Sequence, residues 1–241
     1  MRSISRAALV ATVLLLGWAD RGAGFALPPS PGPYDWTAAG RLPLRIFTDR
    51  DGLPQNAVTS ITFARDGSLW IGTKDGAARY NGRVWTTVPM PEGVRSNWVD
   101  EVLAAEDGSV WFGTRGGGLV RLHDRAWRVF TVADGLPSLE VRALVESREF
   151  GPGPVLVVGT EKGLARFDGT KLVAIPLPAS HLPDVVRLFE GTTRGDLAGL
   201  WVGLRDAIMH IRGGRTKVFD LAEAGVRPDN PARAFAITSE L

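Results

Sequence analysis

DGLPQNAVTSITFARDGSLWIGTKDGAARYNG, residues 51–82, is the stretch that decides the fold, because most of it recurs later in the chain. Its centre, DGSLWIGT at 66–73, returns as DGSVWFGT at 107–114 and more loosely as VLVVGT at 155–160 and GLWVGL at 199–204. The glycine shared by these segments recurs every 41 to 46 residues. Such a period indicates a repeat protein in which each unit buries its apolar face against its neighbours.

Each copy contains four short runs rich in branched and aromatic residues. In the first copy the runs begin near Val58, Leu69, Ala77 and Val84, and Asp-Gly or Asn-Gly pairs lie between them. Those pairs supply the positive φ that tight hairpin turns require. Four strands in about 40 to 45 residues is the size of a β-propeller blade. We therefore predict an all-β chain, a β-propeller of four-stranded antiparallel blades in a partial ring of about four and a half blades.

The predicted blades span residues 56–88, 97–132, 140–175 and 184–219, and a fifth begins at 232–241 with an inner strand at 232–237. Insertions at 149–154 and 191–199 lengthen the third and fourth blades. The segment LRIFT at 44–48 precedes DGLP just as WRVFT at 127–131 does, so it is predicted to be an outer strand without a blade of its own. Such a strand would complete the last blade of a closed ring.

Residues 1–26 have the pattern of a secretory signal peptide. Arg2 and Arg6 form a basic start, residues 7–18 are apolar, and Gly24-Phe25-Ala26 places small residues at a cleavage position. The apolar segment is shorter than the roughly 20 residues of a spanning helix, so cleavage is favoured over an uncleaved anchor. We expect an exported protein, in the periplasm or on the extracytoplasmic face of the inner membrane. Residues 27–43 are rich in proline and are predicted to be an extended leader.

The charge balance argues against a nucleic-acid partner. The whole sequence has a net charge of +2, and without residues 1–26 the 25 basic and 25 acidic side chains cancel. No basic stripe of the kind that binds nucleic acid is present in the sequence. Cysteine is absent, so neither disulfides nor thiolate metal sites are expected.

The repeat at 51–82 closely resembles the two-component regulator propeller repeat, and the resemblance covers about residues 44–241. That family occurs in the exported sensory regions of bacterial hybrid histidine kinases and of some diguanylate cyclases. The resemblance implies a closed ring, often two in tandem, followed by a β-sandwich, a membrane helix and a cytoplasmic signalling domain. Because these later parts are not in this sequence, a kinase or cyclase activity is expected only of a longer parent protein.

The residues that recur in the copies are assigned structural roles. An aromatic side chain packs between sheets, and a glycine allows backbones to approach closely. These positions are Trp70, Gly72, Trp111, Gly113, Gly159, Trp201 and Gly203.

Candidate ligand contacts lie instead in the loops between blades and between the second and third strands, which converge on one face. Trp98 is the most suggestive, because an aromatic platform beside polar residues suits a sugar ring or a peptide side chain. Packing against the adjacent blade is the alternative role for Trp98. The full set of candidates is Asn56, Lys74, Arg95, Asn97, Trp98, Arg115, Glu140, Lys162, His181, Asp184 and Arg205.

The sequence contains no catalytic motif and no metal-ligand spacing. Gly-x-Ser-x-Gly, His-Glu-x-x-His and the phosphate-binding Gly-x-x-x-x-Gly-Lys are all missing. His123, His181 and His210 are far apart in sequence, so hydrogen-bonded or exposed roles are favoured. We expect no catalytic residue, metal or cofactor in this chain.

Three functions remain open. The first is a ligand-sensing propeller that binds a small molecule or saccharide and signals to a membrane partner, with further repeats and a signalling domain beyond residue 241. The second is a propeller lyase or glycosidase, in which Glu140, His181 and Asp184 would act together on a polysaccharide. The third is a self-associating interaction scaffold that must cover two exposed blade faces.

Overall fold

The structure is a computed structural model that describes residues 45–191 and 197–223. The predicted signal peptide, the leader and the start of a fifth blade lie outside the described residues. The described strands belong to the compact unit of residues 46–241.

The described chain forms four antiparallel sheets of four strands each, and in every sheet the strands are ordered as they occur in the chain. The first sheet contains β1 (Val58–Phe63), β2 (Leu69–Thr73), β3 (Gly76–Tyr80) and β4 (Trp85–Val88). The second contains β5 (Val99–Ala104), β6 (Val110–Thr114), β7 (Leu119–His123) and β8 (Ala126–Phe130).

The third sheet contains β9 (Val141–Ser147), β10 (Val155–Thr160), β11 (Gly163–Phe167) and β12 (Leu172–Ile175). The fourth contains β13 (Val185–Gly191), β14 (Gly199–Leu204), β15 (Ala207–Arg212) and β16 (Arg215–Asp220). The first strands of adjacent sheets contact one another, so each first strand is the innermost of its sheet. These sheets are propeller blades, and the predicted fold class is confirmed.

A valine of each following sheet packs against the recurring glycine of the sheet before it. Val141 Cγ1 would lie 2.7 Å from a Cβ placed on Gly113, and Val99 Cγ1 would lie 2.9 Å from one on Gly72. Val185 occupies the same position against Gly159. A side chain at any of these glycines would therefore force the blades apart.

Aromatic side chains fill the interfaces between the sheets. Trp70 of the first sheet meets Phe112 of the second edge to face, with ring centroids 5.9 Å apart. Trp111 of the second meets Phe167 of the third at 5.1 Å, and Trp111 is 2% exposed. Continuous apolar clusters across each pair of sheets supply most of the driving force for stacking the blades.

The recurring DGLP motif forms a capped turn before the loops that join the blades. Thr131 and Asp134 make a reciprocal capping box around the short 3-10 helix Val132–Asp134. Gly135 then takes a left-handed φ of 89°, and Leu136 is buried in the core. Because Thr48 and Asp51 build the same box at the first DGLP, the motif recurs for a structural reason.

Two expectations differ from the structure. Residues 45–48 do not form the outer strand that was predicted for 44–48, and Phe47 packs on Tyr80 and Trp85 of the first sheet. Trp201 is only half-buried, and it stacks on His210 with ring centroids 4.0 Å apart instead of packing between two described sheets.

The outer faces of the first and fourth sheets expose large apolar side chains. On the first sheet Ile61 is 60% exposed and Phe63 is 62% exposed. On the fourth, Phe189 is 46% and Phe219 is 38% exposed. In the interior interfaces the equivalent surfaces are covered by the adjacent blade, so the described sheets form an open arc with two uncovered faces.

Candidate functional site

One end of the arc gathers the segments between blades and the turns between second and third strands. We call this end the loop face. It consists of residues 52–57, 74–75, 89–98, 115–118, 131–140, 161–162, 176–184 and 205–206.

A β-bulge at the start of each innermost strand aims one side chain out of the regular ladder. In the second sheet Val99 pairs with Thr114 and Glu101 pairs with Gly113, which leaves Asp100 as the extra residue. The same irregularity occurs in the other three sheets. Bulges re-aim side chains beside functional sites. The four bulged residues are Thr59, Asp100, Arg142 and Val186.

Trp98 is the centre of a first cluster on the loop face. The Arg115 guanidinium lies 3.9 Å from the centre of its ring, and the Lys74 ammonium lies 4.9 Å from the same point. Arg115 also forms two hydrogen bonds to the Asp100 carboxylate, at 3.0 and 3.1 Å. The structure thus brings together the candidates Lys74, Trp98 and Arg115, and adds Asp100.

This arrangement changes the role predicted for Trp98. Two cations already contact the indole, so a ligand that stacks on the ring must displace Arg115 or Lys74. The bulged Asp100 holds Arg115 in place, and its side chain is only 14% exposed. A ligand carboxylate that competes with Asp100 for Arg115 would free the ring for stacking.

A second cluster joins the third and fourth sheets. Arg142 Nη1 lies 2.5 Å from Asp184 Oδ1, and Arg205 Nη2 lies 2.6 Å from Asp184 Oδ2. Arg142 also approaches Glu161 at 3.9 Å, and Ser138 donates a hydrogen bond to Glu161. The candidates Asp184 and Arg205 therefore lie in one network with Arg142 and Glu161.

Three other candidates, Asn56, His181 and Asn97, lie apart from these clusters, and Lys162 adjoins the second cluster. Asn56 accepts a hydrogen bond from the backbone N–H of Asp49 through Oδ1, so its side chain braces the first DGLP turn. His181 Nδ1 lies 3.5 Å from Asp206, and Lys162 Nζ lies 3.7 Å from Glu161. Asn97 is exposed.

The trio expected of a lyase or glycosidase is not assembled. No hydrogen bond or ion pair among residues 45–191 and 197–223 joins His181 to Glu140 or to Asp184. Glu140 instead follows Ser138, whose hydroxyl accepts its N–H, and pairs through its backbone with Arg115.

Arg95 lines an open cleft of about 360 Å³ beside the second sheet. Its walls are Gly93, Gly116, Gly117, Leu139 and residues 131–133. The cleft thus lies where three loop-face segments meet.

Glu101 is a titratable group in the innermost layer that the sequence did not single out. Burial raises its pKa to about 7, and the Arg187 guanidinium of the fourth sheet together with the Val102 N–H opposes that shift. The neighbouring Asp100 carboxylate raises the pKa further. Glu101 therefore changes its charge near neutral pH.

The bulged residues and Glu101 were missed because they lie inside predicted strands. One signal was available. When the copies are aligned on the valine that begins each first strand, the following residue is different in every copy, while the valine is constant. Those positions are the bulged residues Thr59, Asp100, Arg142 and Val186.

The described residues contain no group of three or more side chains that could hold a metal ion. Among the same residues, no helix has the length and apolar character that crossing a membrane requires.

The first repeat matches a known family. Residues 46–75 match the two component regulator propeller family, which confirms the resemblance drawn from the sequence. The chain therefore carries a two-component regulator propeller repeat. Among curated proteins, none matches the sequence.

Solved structures share the architecture. An extracellular domain assigned to a hybrid two-component system of B. thetaiotaomicron aligns with a TM-score of 0.58 and 21% identity, over 73% of this chain and 26% of that chain. Virginiamycin B lyase from Staphylococcus aureus aligns with a TM-score of 0.53 and 19% identity, over 68% of this chain and 55% of that chain. At these identities the likeness establishes the fold alone. The chain spans about a quarter of the first protein and about half of the second.

Proposed function

We propose that this chain is the ligand-sensing propeller segment of an exported signal-transduction receptor, of the sensor kinase or diguanylate cyclase type. It binds a small molecule or a saccharide at the loop face, and a membrane-bound partner or a further part of the same receptor passes the signal on. The match of residues 46–75 to the two component regulator propeller family supports this proposal. The alignment with an extracellular domain of a hybrid two-component system is consistent with it.

One observation carries the proposal. The side chains that differ from blade to blade are gathered at the loop face, and bulges aim Asp100 and Arg142 into it. The residues that recur, by contrast, pack between the sheets or cap turns. A propeller that served only to stabilise a neighbouring domain would not need a β-bulge in every blade at the same face.

Binding by the full chain tests the proposal. Thermal unfolding would be followed against a panel of neutral and acidic mono- and oligosaccharides, and any stabilising compound would be titrated calorimetrically. Arg115→Ala removes the cation that covers Trp98, so it should change the affinity of a loop-face ligand by about tenfold or more. Arg83→Ala is the matched control, because Arg83 lies in the turn between β3 and β4 at the opposite end of the sheet. If no compound of the panel stabilises the protein, the proposal is contradicted.

Export is part of the same proposal. Residues 1–26 would direct the chain across the inner membrane and be removed after Ala26. Cell fractionation and N-terminal sequencing of the purified protein test this step. An intact Met1 in a cytoplasmic fraction would overturn it.

Self-association is a second candidate function, and the exposed apolar faces of the first and fourth sheets favour it. In a head-to-tail assembly, the exposed face of the first sheet in one molecule packs against that of the fourth sheet in the next. Light scattering of the full chain should then show a mass that grows with concentration. A monomer at every concentration would exclude this function.

A further inference from the structure

The cleft at Arg95 is large enough to admit a small molecule. Its volume of about 360 Å³ falls in the range of pockets that hold small molecules. It lies at the loop-face end of the second sheet, where the segment before β5, the turn between β6 and β7 and the capped turn after β8 meet. It is distinct from the Trp98 cluster, because neither Trp98 nor Lys74 contributes to its walls.

The cleft contains one unpaired cation. Arg95 is exposed, and within residues 45–191 and 197–223 it has no hydrogen-bond or ion-pair partner. The other cleft residues carry no charge. The guanidinium of the adjacent Arg115 is bound to Asp100, so it does not add a second free charge.

The remaining walls are apolar side chains, backbone and Thr131, whose hydroxyl is engaged with Asp134 and the Ala133 N–H in the capped turn. Val132 is 59% exposed on the rim, and Leu139 is half-buried behind it. Gly117 must be a glycine, because a Cβ there would lie 2.6 Å from both Val94 and Thr114. A side chain at position 117 would therefore collide with these neighbours, so this part of the cleft wall is backbone.

A carboxylate borders the cleft on one side. Glu140 Oε1 would lie 3.4 Å from a Cβ placed on Gly116. A ligand with two negative charges would meet this carboxylate as well as Arg95, and like charges repel at such distances. A single negative charge directed at Arg95 avoids that repulsion.

We propose that this cleft binds a small organic acid with one carboxylate and a carbon body no larger than one ring, and that Arg95 pairs with the carboxylate. The guanidinium fork matches a carboxylate with two parallel hydrogen bonds. Val132 and Leu139 supply apolar contact for the body of the ligand. This inference rests on the proposed sensing function and names the ligand chemistry at one part of the loop face.

Matched probe pairs test the proposal on the full chain. Benzoate and D-glucuronate are the acids, and benzyl alcohol and D-glucose are the neutral counterparts with the same ring. Binding is measured by ¹H–¹⁵N NMR titration at millimolar concentrations of each probe. Arg95→Ala removes the cation, and Ala133→Trp fills the cleft without changing its charge. Arg83→Ala is the control, because Arg83 is an exposed arginine at the opposite end of the first sheet.

At least one acid should bind, and its neutral counterpart should bind about tenfold more weakly or not at all. Arg95→Ala and Ala133→Trp should each lower the affinity for the acid by about tenfold. Arg83→Ala should leave that affinity within about twofold of the wild-type value. Absence of acid binding, or undiminished binding by Arg95→Ala, overturns the inference. If the saccharide panel still yields a ligand that depends on Arg115, the sensing function stands and only this inference falls. If neither experiment yields a ligand, both fail.

Discussion

Arg142 of the third sheet and Asp184 at the start of the fourth are joined across the blade interface, with 2.5 Å between Nη1 and Oδ1. The Asp184 side chain is 12% exposed and is bound from the other side by Arg205. One carboxylate thus links two blades and also fixes two cations on the loop face.

Asp184→Asn should lower the free energy of unfolding by about 1–2 kcal/mol. The variant leaves Arg142 and Arg205 without their common anion, but both arginines reach water, which limits the loss. Urea denaturation measures the change. Asp75→Asn, at an exposed position in the turn after β2, is the control and should change stability by less than about 0.5 kcal/mol. Equal effects of the two substitutions would contradict the importance of the inter-blade pair.

Gly113→Ala should cost about 1–3 kcal/mol, because the new methyl group meets Val141 of the next sheet. The companion Val141→Ala should recover part of the loss in the double variant, since it removes the opposing methyl groups. Gly153→Ala is the control, because nothing lies within 4 Å of a Cβ at Gly153. The measurement is chemical denaturation of the wild type, the two single variants, the double variant and the control. Simple additivity of the two core substitutions would refute the close contact.

Trp111→Ala should destabilise the chain by about 3–5 kcal/mol, since the indole is 2% exposed and packs against Phe130 and Phe167. Trp201→Ala should cost less than half as much, because Trp201 is half-buried and stacks on His210. Thermal and urea unfolding give both values. A loss below about 1 kcal/mol for Trp111→Ala would mean that the second and third sheets do not pack as described.

Stability should fall as pH rises from about 5 to 8 because of Glu101. Its pKa is raised from 4.5 to about 7 in the folded chain, so the folded state holds a proton that the unfolded state has released. The stabilisation is complete below the unfolded pKa and disappears as pH rises through 7, a change of about 2–3 kcal/mol. Glu101→Gln should remove most of this slope. Burial also raises the pKa of Glu146, which contributes a slope of the same sign in both proteins.

The comparison for Glu101 is the unfolding free energy at several pH values from 5 to 8. Glu92→Gln, an exposed position, should follow the wild-type curve. Parallel curves for wild type and Glu101→Gln would show that Glu101 is ionised throughout this range.

The turn at Asp124 and Arg125 is a site for stabilisation. Both residues have positive φ, 48° and 65°, although neither is a glycine. Asn-Gly at these positions should raise the unfolding free energy by about 0.5–1 kcal/mol, because it suits the left-handed conformation of a two-residue hairpin. Arg83→Gly in another turn should destabilise instead, because Arg83 is not among the residues with positive φ. Differential scanning calorimetry distinguishes the two outcomes.

The repeated pattern was sufficient to predict the blades. In the first blade the Asp-Gly and Asn-Gly pairs each predict a hairpin from local sequence, whereas the fourth blade has no such pair and follows from its alignment with the other copies. The glycines at 72, 113 and 159 were assigned to close backbone approach, and the structure supplies the partner, a valine of the next sheet.

The site was harder to predict, because its geometry depends on irregularities and on neighbouring blades. The strand pattern of a single blade does not show which residue a bulge adds, so Asp100 and Arg142 can be singled out only by comparing the copies at the residue after the constant valine. The contact of Arg115 with Trp98 depends on the rotamers of both side chains. The half-exposure of Trp201 follows from the absence of a described sheet beside the fourth, which the alignment of repeats does not show.

The bulges also affect how such a protein can evolve. A residue outside the regular ladder can be exchanged by mutation without a change of strand register, whereas a one-residue slip would turn every following side chain to the opposite face. Natural selection can therefore alter Thr59, Asp100, Arg142 and Val186 one at a time. New ligand preferences become accessible by single steps, while the contacts between valine and glycine preserve the inherited scaffold.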